Sequence, residues 1–231
     1  MKAEEFLEYF KNIEKTVNKL GNFNDGETFS RKLDLLSEKK AMLRNYKEEL
    51  KLFANLRNIY AHTPRENYIA DPTNATLLRI KEIAYKLEHP ILVKDKFIFE
   101  VIGAKEEDHI NDILKSMYAK SFSQFPIYDD RKVMELISAN TISRWLSDNL
   151  EERGDILITD TKIKDFLSYI EFPKNYSFIS KKMNVFDAFD KFKNHIKNNK
   201  RNLDVLFITE NGSENEDVIG LITIEDIAEF R

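Results

Sequence analysis

The stretch Gly220-Leu221-Ile222-Thr223-Ile224-Glu225-Asp226-Ile227 decides the reading of this chain. A glycine and two apolar residues end a strand, and a hydroxyl residue with a carboxylate three positions on opens a helix. Upstream of it, Asp204 to Thr209 reads as a strand, Glu210 to Asp217 as a polar turn holding Gly212, and Val218 to Ile222 as the return strand. The same order stands earlier in the chain. Phe125-Pro126-Ile127-Tyr128 is a short strand, Asp129-Asp130-Arg131 its turn, and Val133 to Ile137 the second strand of a hairpin. Ser138 then opens a helix through Thr141, Ile142, Trp145 and Leu146. Each hairpin follows an amphipathic helix, Ile110 to Tyr118 in the first copy and Val185 to Ile196 in the second. This half therefore holds an internal repeat of about 60 residues, and two such units are expected to bury a face against each other.

The residues before His89-Pro90 follow a helical period instead. Phe6, Tyr9, Phe10, Ile13, Val17 and Leu20 form one apolar face, which Gly21 and the Asn22–Gly26 run end. A second long helix is expected from Phe29 to Tyr60, carrying Leu33, Leu36, Leu43, Leu50, Phe53 and Leu56. Asp71-Pro72-Thr73 opens a third over Asn74 to Leu87. Three antiparallel helices make a small bundle. The expected fold class is α+β. An α-helical bundle occupies residues 1–90, and the repeat occupies 91–231, its copies at about 91–150 and 165–231.

Composition narrows the chemistry. The 231 residues contain no cysteine, which excludes thiolate metal sites, thiol nucleophiles and disulfides. The six glycines include no GxG spacing, which excludes a Walker or Rossmann phosphate loop. A net charge of −4 argues against coating nucleic acid by bulk charge. No two of the four histidines have the i, i+4 spacing of a zinc-binding helix, so no metal site is expected. No run approaches the roughly 20 apolar residues of a membrane helix. The opening residues carry Glu4, Glu5 and Glu8 and do not read as a secretory signal, so a cytoplasmic protein without membrane partners is expected.

The Gly220–Ile227 stretch, the Phe125-Pro126-Ile127-Tyr128 strand and the repeat together resemble CBS domains, which occur as tandem pairs, the Bateman module. The resemblance covers residues 92–231. It implies a regulatory adenosine ligand (AMP, ADP, ATP or S-adenosylmethionine) in a cleft between the copies, and no required cofactor. Asp226 would accept hydrogen bonds from the ribose hydroxyls and Thr223 would meet a phosphate. Phe178 and Ile179, in the Glu171–Ser180 stretch where the family places contacts to the base, would touch adenine. Thr-x-x-Asp before an apolar run is also a capping box, which accounts for Thr223 and Asp226 with no ligand. The first copy departs from the pattern: Thr141 stands where Asp226 does and Glu135 where Gly220 does, so at most one good adenosine site is expected.

Asn55-Leu56-Arg57-Asn58-Ile59-Tyr60-Ala61-His62 resembles the signature of HEPN domains, an Arg and a polar residue followed by His at the end of a helix. The resemblance implies a homodimer with paired motifs and, in many members, a metal-independent ribonuclease acting on RNA. His62 would take the proton from a 2′-hydroxyl, and Arg57, beside Asn58, would stabilise charge on the phosphoryl oxygens. Together these readings describe an adenine-nucleotide sensor that controls its own helical domain. The alternative is a non-enzymatic dimerisation or partner-binding module with no ligand.

Overall fold

The computed structural model describes residues 2–23, 26–61, 71–130, 132–150, 160–199 and 201–226. They form an α+β protein of two compact units. One comprises Met1–Ile91 with Asn184–Asp190, the other Leu92–Met183 with Lys191–Arg231.

Among its described residues up to Ile91, the first unit contains the helices α1 (Lys2–Gly21), α2 (Phe29–Lys39), α3 (Ala41–Ala61) and α4 (Asn74–Glu88). Their apolar faces supply one core in which Phe6, Phe10, Ile13, Leu33, Leu43, Leu50, Ile80 and Ile83 are all but inaccessible. Phe6 meets Phe53 and Tyr60 edge-on, each with ring centroids 5.8 Å apart. Burying each such side chain contributes about 1.5–3 kcal/mol. Thr73 caps α4 by accepting the Thr76 N–H at 3.1 Å.

The single helix expected over Phe29 to Tyr60 is two. Lys40 adopts an extended conformation (φ −124°, ψ 105°) between α2 and α3. The side chain of Arg44 makes the break tolerable. Its Nε donates to the Ser37 carbonyl at 2.9 Å and its Nη2 to the Glu38 carbonyl at 3.0 Å, two acceptors that the end of α2 leaves without helical partners. Asp34 holds Lys47 and Lys51 across the bend, and those two ammonium groups keep its carboxyl below the usual range. An unbroken apolar period hides such a break, because both helices bury the same stripe.

The second unit is built from α5 (Ile110–Lys120), β1 (Gln124–Asp129), β2 (Lys132–Ser138), α6 (Ala139–Asp148), β3 (Tyr176–Ser180), α7 (Val185–Asn199), β4 (Val205–Thr209) and β5 (Gly220–Ile222), of which Val185–Asp190 cluster with the first unit. β1 and β2 are an antiparallel hairpin, and β3-β4-β5 a sheet in which β3 runs parallel to β4 and β5 antiparallel to it. β3 was not expected from the sequence. Its five residues give no local hairpin signal, since their parallel partner β4 lies across a connecting helix.

The register proves the repeat. Ile127 stands between Ala104, a parallel bridge, and Glu135. Ile208 stands between Ile179, also parallel, and Gly220. The inner faces of the two hairpins meet, with Leu136 of β2 packing on Val205 and Phe207 of β4. Behind the first hairpin, Trp145 of α6 lies on Phe166 with ring centroids 4.7 Å apart. It is a core residue.

Gly220 bridges Ile98, and a Cβ there would overlap the Phe97 carbonyl oxygen. Gly220→Ala is therefore expected to lose about 2 kcal/mol or more of stability, towards the upper end for overpacking, measured by denaturant unfolding. An unchanged midpoint would mean that Phe97 and its neighbours give way freely.

Candidate functional site

Residues 99–102, 120–124, Leu221, Thr223, Glu225 and Asp226 enclose a cavity of about 460 Å³. That size lies within the roughly 300–1,000 Å³ of small-molecule sites. Three parts of the chain build it: the segment leading to the Ala104 bridge, the end of α5 running into β1, and the exit of β5. The second copy's signature thus meets the strand entries of the first copy.

Thr223 and Asp226 are joined directly. Asp226 Oδ2 accepts the Thr223 backbone N–H and the Thr223 hydroxyl, both at 2.7 Å. This is the carboxylate half of a capping box, and it fixes the carboxylate at the cavity wall. Oδ1 makes no bond among the described residues, which leaves its lone pairs as acceptors there. Phe99, Val101, Phe122 and Leu221 add apolar wall, while Ser121, Ser123 and Gln124 add donors and acceptors. The helix expected after Thr223 lies mostly outside the described residues, which show a turn over 224–226.

Phe178 and Ile179 do not line this cavity. Phe178 stacks among Tyr176 and Phe207 in the hairpin cluster, at 5.8 and 5.7 Å between centroids, and Ile179 is buried opposite Ile208. The aromatic residues actually beside Asp226 are Phe99 and Phe122. The sequence gives no local signal for them, because they precede β1 in the first copy while Asp226 follows β5 in the second.

The register locates the counterpart cleft, where Ser138–Thr141 should face residues 174–177. Contacts within the protein occupy it. Glu135, in place of Gly220, accepts the Lys174 N–H at 2.9 and 3.1 Å and the Leu136 N–H at 2.9 Å. Asn140 donates to Glu171 at 3.2 Å, and Thr141, in place of Asp226, is buried against the Ser138 hydroxyl at 3.2 Å. Tyr176 donates its hydroxyl to the Met134 carbonyl at 3.0 Å. Burial, with the charges of Glu135 and Glu214, raises its pKa to about 12, so it remains a donor at physiological pH.

In the first unit, Arg57 and Asn58 line a cavity of about 290 Å³ with Phe10, Glu14, Thr28 and Phe29. Arg57 Nη2 pairs with Glu14 at 2.9 Å, and Nη1 donates to Asn58 Oδ1 at 2.9 Å. The guanidinium lies 5.7 Å from the centroid of the Phe10 ring. α3 ends at Ala61, and His62 lies outside the described residues. Among the described residues, no cluster of three or more His, Asp or Glu could hold a metal ion, and no helix is long and apolar enough to cross a membrane.

No family model matches this chain, and no curated protein matches it. Solved structures do. A CBS domain pair in complex with 5′-methylthioadenosine and S-adenosyl-L-methionine is 18% identical, with 61% of this chain and 95% of that one covered and a TM-score of 0.43. The CBS domain of a bacterial CNNM/CorC family Mg2+ transporter in complex with ATP is 17% identical, covering 60% and 85%, at a TM-score of 0.40. A CBS domain-containing protein of unknown function from Kribbella flavida is 10% identical, covering 61% and 97%, at 0.44. Those ligands belong to those proteins.

Removing the Glu135 carboxylate tests how the counterpart cleft is closed. In Glu135→Ala, amide exchange at Lys174 should accelerate about tenfold or more, the loss of a charge-assisted hydrogen bond worth about 1.5–3 kcal/mol. Exchange at Lys162, whose N–H is held by Asp165 at 2.8 Å, should not change. Equal rates at Lys174 in both proteins would contradict this closure.

Proposed function

We propose that residues 92–231 form a CBS pair that binds one adenosine compound, in the cavity beside Thr223 and Asp226. One observation carries the reading: a fixed carboxylate, one of whose oxygens has no partner among the described residues, stands in a partly apolar cavity between two repeats. A ribose cis-diol needs such an acceptor, and a purine needs flat apolar wall such as Phe99 and Phe122 provide. The occupied counterpart cleft supports a single site per chain.

Calorimetric titration with adenosine, AMP, ADP, ATP and S-adenosylmethionine tests it. At least one should bind with a stoichiometry near one per chain. Asp226→Ala should weaken it at least about tenfold, the worth of a hydrogen bond to a charged group. Thr141→Ala should leave it unchanged. Absence of saturable binding by every compound would leave Thr223 and Asp226 as a capping pair alone.

For the bundle we propose a HEPN-like output domain whose homodimer faces RNA through Arg57, Asn58 and His62. In this reading the adenosine ligand shifts the dimer only by its differential affinity for two arrangements. The Arg57–Glu14 pair favours the competing, non-enzymatic reading, because a guanidinium already held by a carboxylate must be released before it can meet phosphate. Incubation with RNA in the presence of a metal chelator separates the two. A ribonuclease cleaves as wild type and as His195→Ala but not as His62→Ala. A folded His62→Ala protein that still cleaves removes the catalytic role.

A further inference from the structure

We infer that the ligand of the Thr223–Asp226 cavity is an adenosine compound whose 5′ substituent carries no net negative charge: a nucleoside, a thioether or a sulfonium, and not a nucleoside phosphate. The inference rests on the adenosine reading above and concerns which member of that class the cavity accepts.

Three observations on the wall agree. First, its described charged side chains are Glu100, Glu225 and Asp226 against the single ammonium of Lys120. Neither Glu100 nor Glu225 forms an ion pair among the described residues. Second, Lys120 is the last residue of α5, and Ser121, in the left-handed region at φ 55°, closes that helix. The cavity therefore faces a helix C-terminus, whose outward carbonyls carry partial negative charge and offset part of what Lys120 offers an anion. Third, the two Thr223 donors that would otherwise receive a phosphate both go to Asp226 Oδ2. The protein's own carboxylate already holds the anion position at this turn. A phosphate would have to displace it or lie beside it, and like charges at such range repel. A ribose meets no such conflict, since its hydroxyls donate to the carboxylate. A sulfonium or a neutral thioether beyond the 5′ carbon meets a wall of favourable or indifferent sign.

The test is calorimetric titration at low ionic strength, with metal chelated, of S-adenosylmethionine, 5′-methylthioadenosine, AMP and ATP. The expected order places the first two together, AMP at least about tenfold weaker and ATP weaker again, with the gap narrowing as salt is added. The double variant Glu100→Gln, Glu225→Gln should narrow the same gap by strengthening ATP rather than by weakening 5′-methylthioadenosine. AMP or ATP binding as tightly as S-adenosylmethionine and 5′-methylthioadenosine, or a gap unchanged in the double variant, overturns the inference and leaves the adenosine site standing. Failure of all four to bind overturns the adenosine reading itself, and this inference with it.

Discussion

Everything in the second unit depends on the contact between the two hairpins, where Leu136 of β2 is buried against Val205 and Phe207 of β4. Val133, Tyr176 and Phe178 pack round this centre, and Phe207 and Tyr176 meet edge-on with centroids 5.3 Å apart. Two polar links bind the rim: Tyr176 to the Met134 carbonyl at 3.0 Å, and Gln124 to the Asp204 carbonyl at 3.3 Å. A face-to-face packing of this kind fixes the separation of the copies to within a side chain, because a close-packed core does not deform continuously. The clefts on either side are a consequence. Neither copy could form one alone, since each cleft takes its signature turn from one copy and its strand entries from the other.

From a near-symmetric backbone, two positions make unlike clefts. Where the second copy has Gly220, the Ile98 strand runs close alongside and leaves no room for a side chain. Where the first copy has Glu135, the carboxylate reaches the backbone of residue 174 and draws that loop in. Asp226 sits at an open wall, whereas Thr141 turns inward against Ser138. The repeat thus supplies the architecture twice and the chemistry of a polar ligand site once.

Much of this was legible in the sequence, for local reasons. Both hairpins, the helices before them and the Ser138 cap announce themselves by alternation, turn residues and a capping pattern, all short-range signals. The asymmetry was legible too, because Thr141 and Glu135 cannot do what Asp226 and Gly220 do. Long-range features were not. β3 pairs in parallel across α7, the break at Lys40 is stabilised by Arg44 from the next helix, and Phe99 reaches the cavity through the Ile98–Gly220 bridge between copies. Phe178, expected as a base contact from the family resemblance, packs in the hairpin cluster, where it helps to hold the copies together. The partner of Arg57 was equally hidden. Glu14 comes from α1, on the far side of a turn and two helices in sequence.

We propose that ligand enters the Asp226 cavity and leaves its counterpart alone. Amide chemical-shift mapping with 5′-methylthioadenosine tests this most directly. The claim predicts saturable shifts confined to residues 99–102, 120–124 and 221–226, with Ser138–Thr141 and residues 174–177 unmoved. Shifts centred on Ser138–Thr141, or none at any concentration, would contradict it.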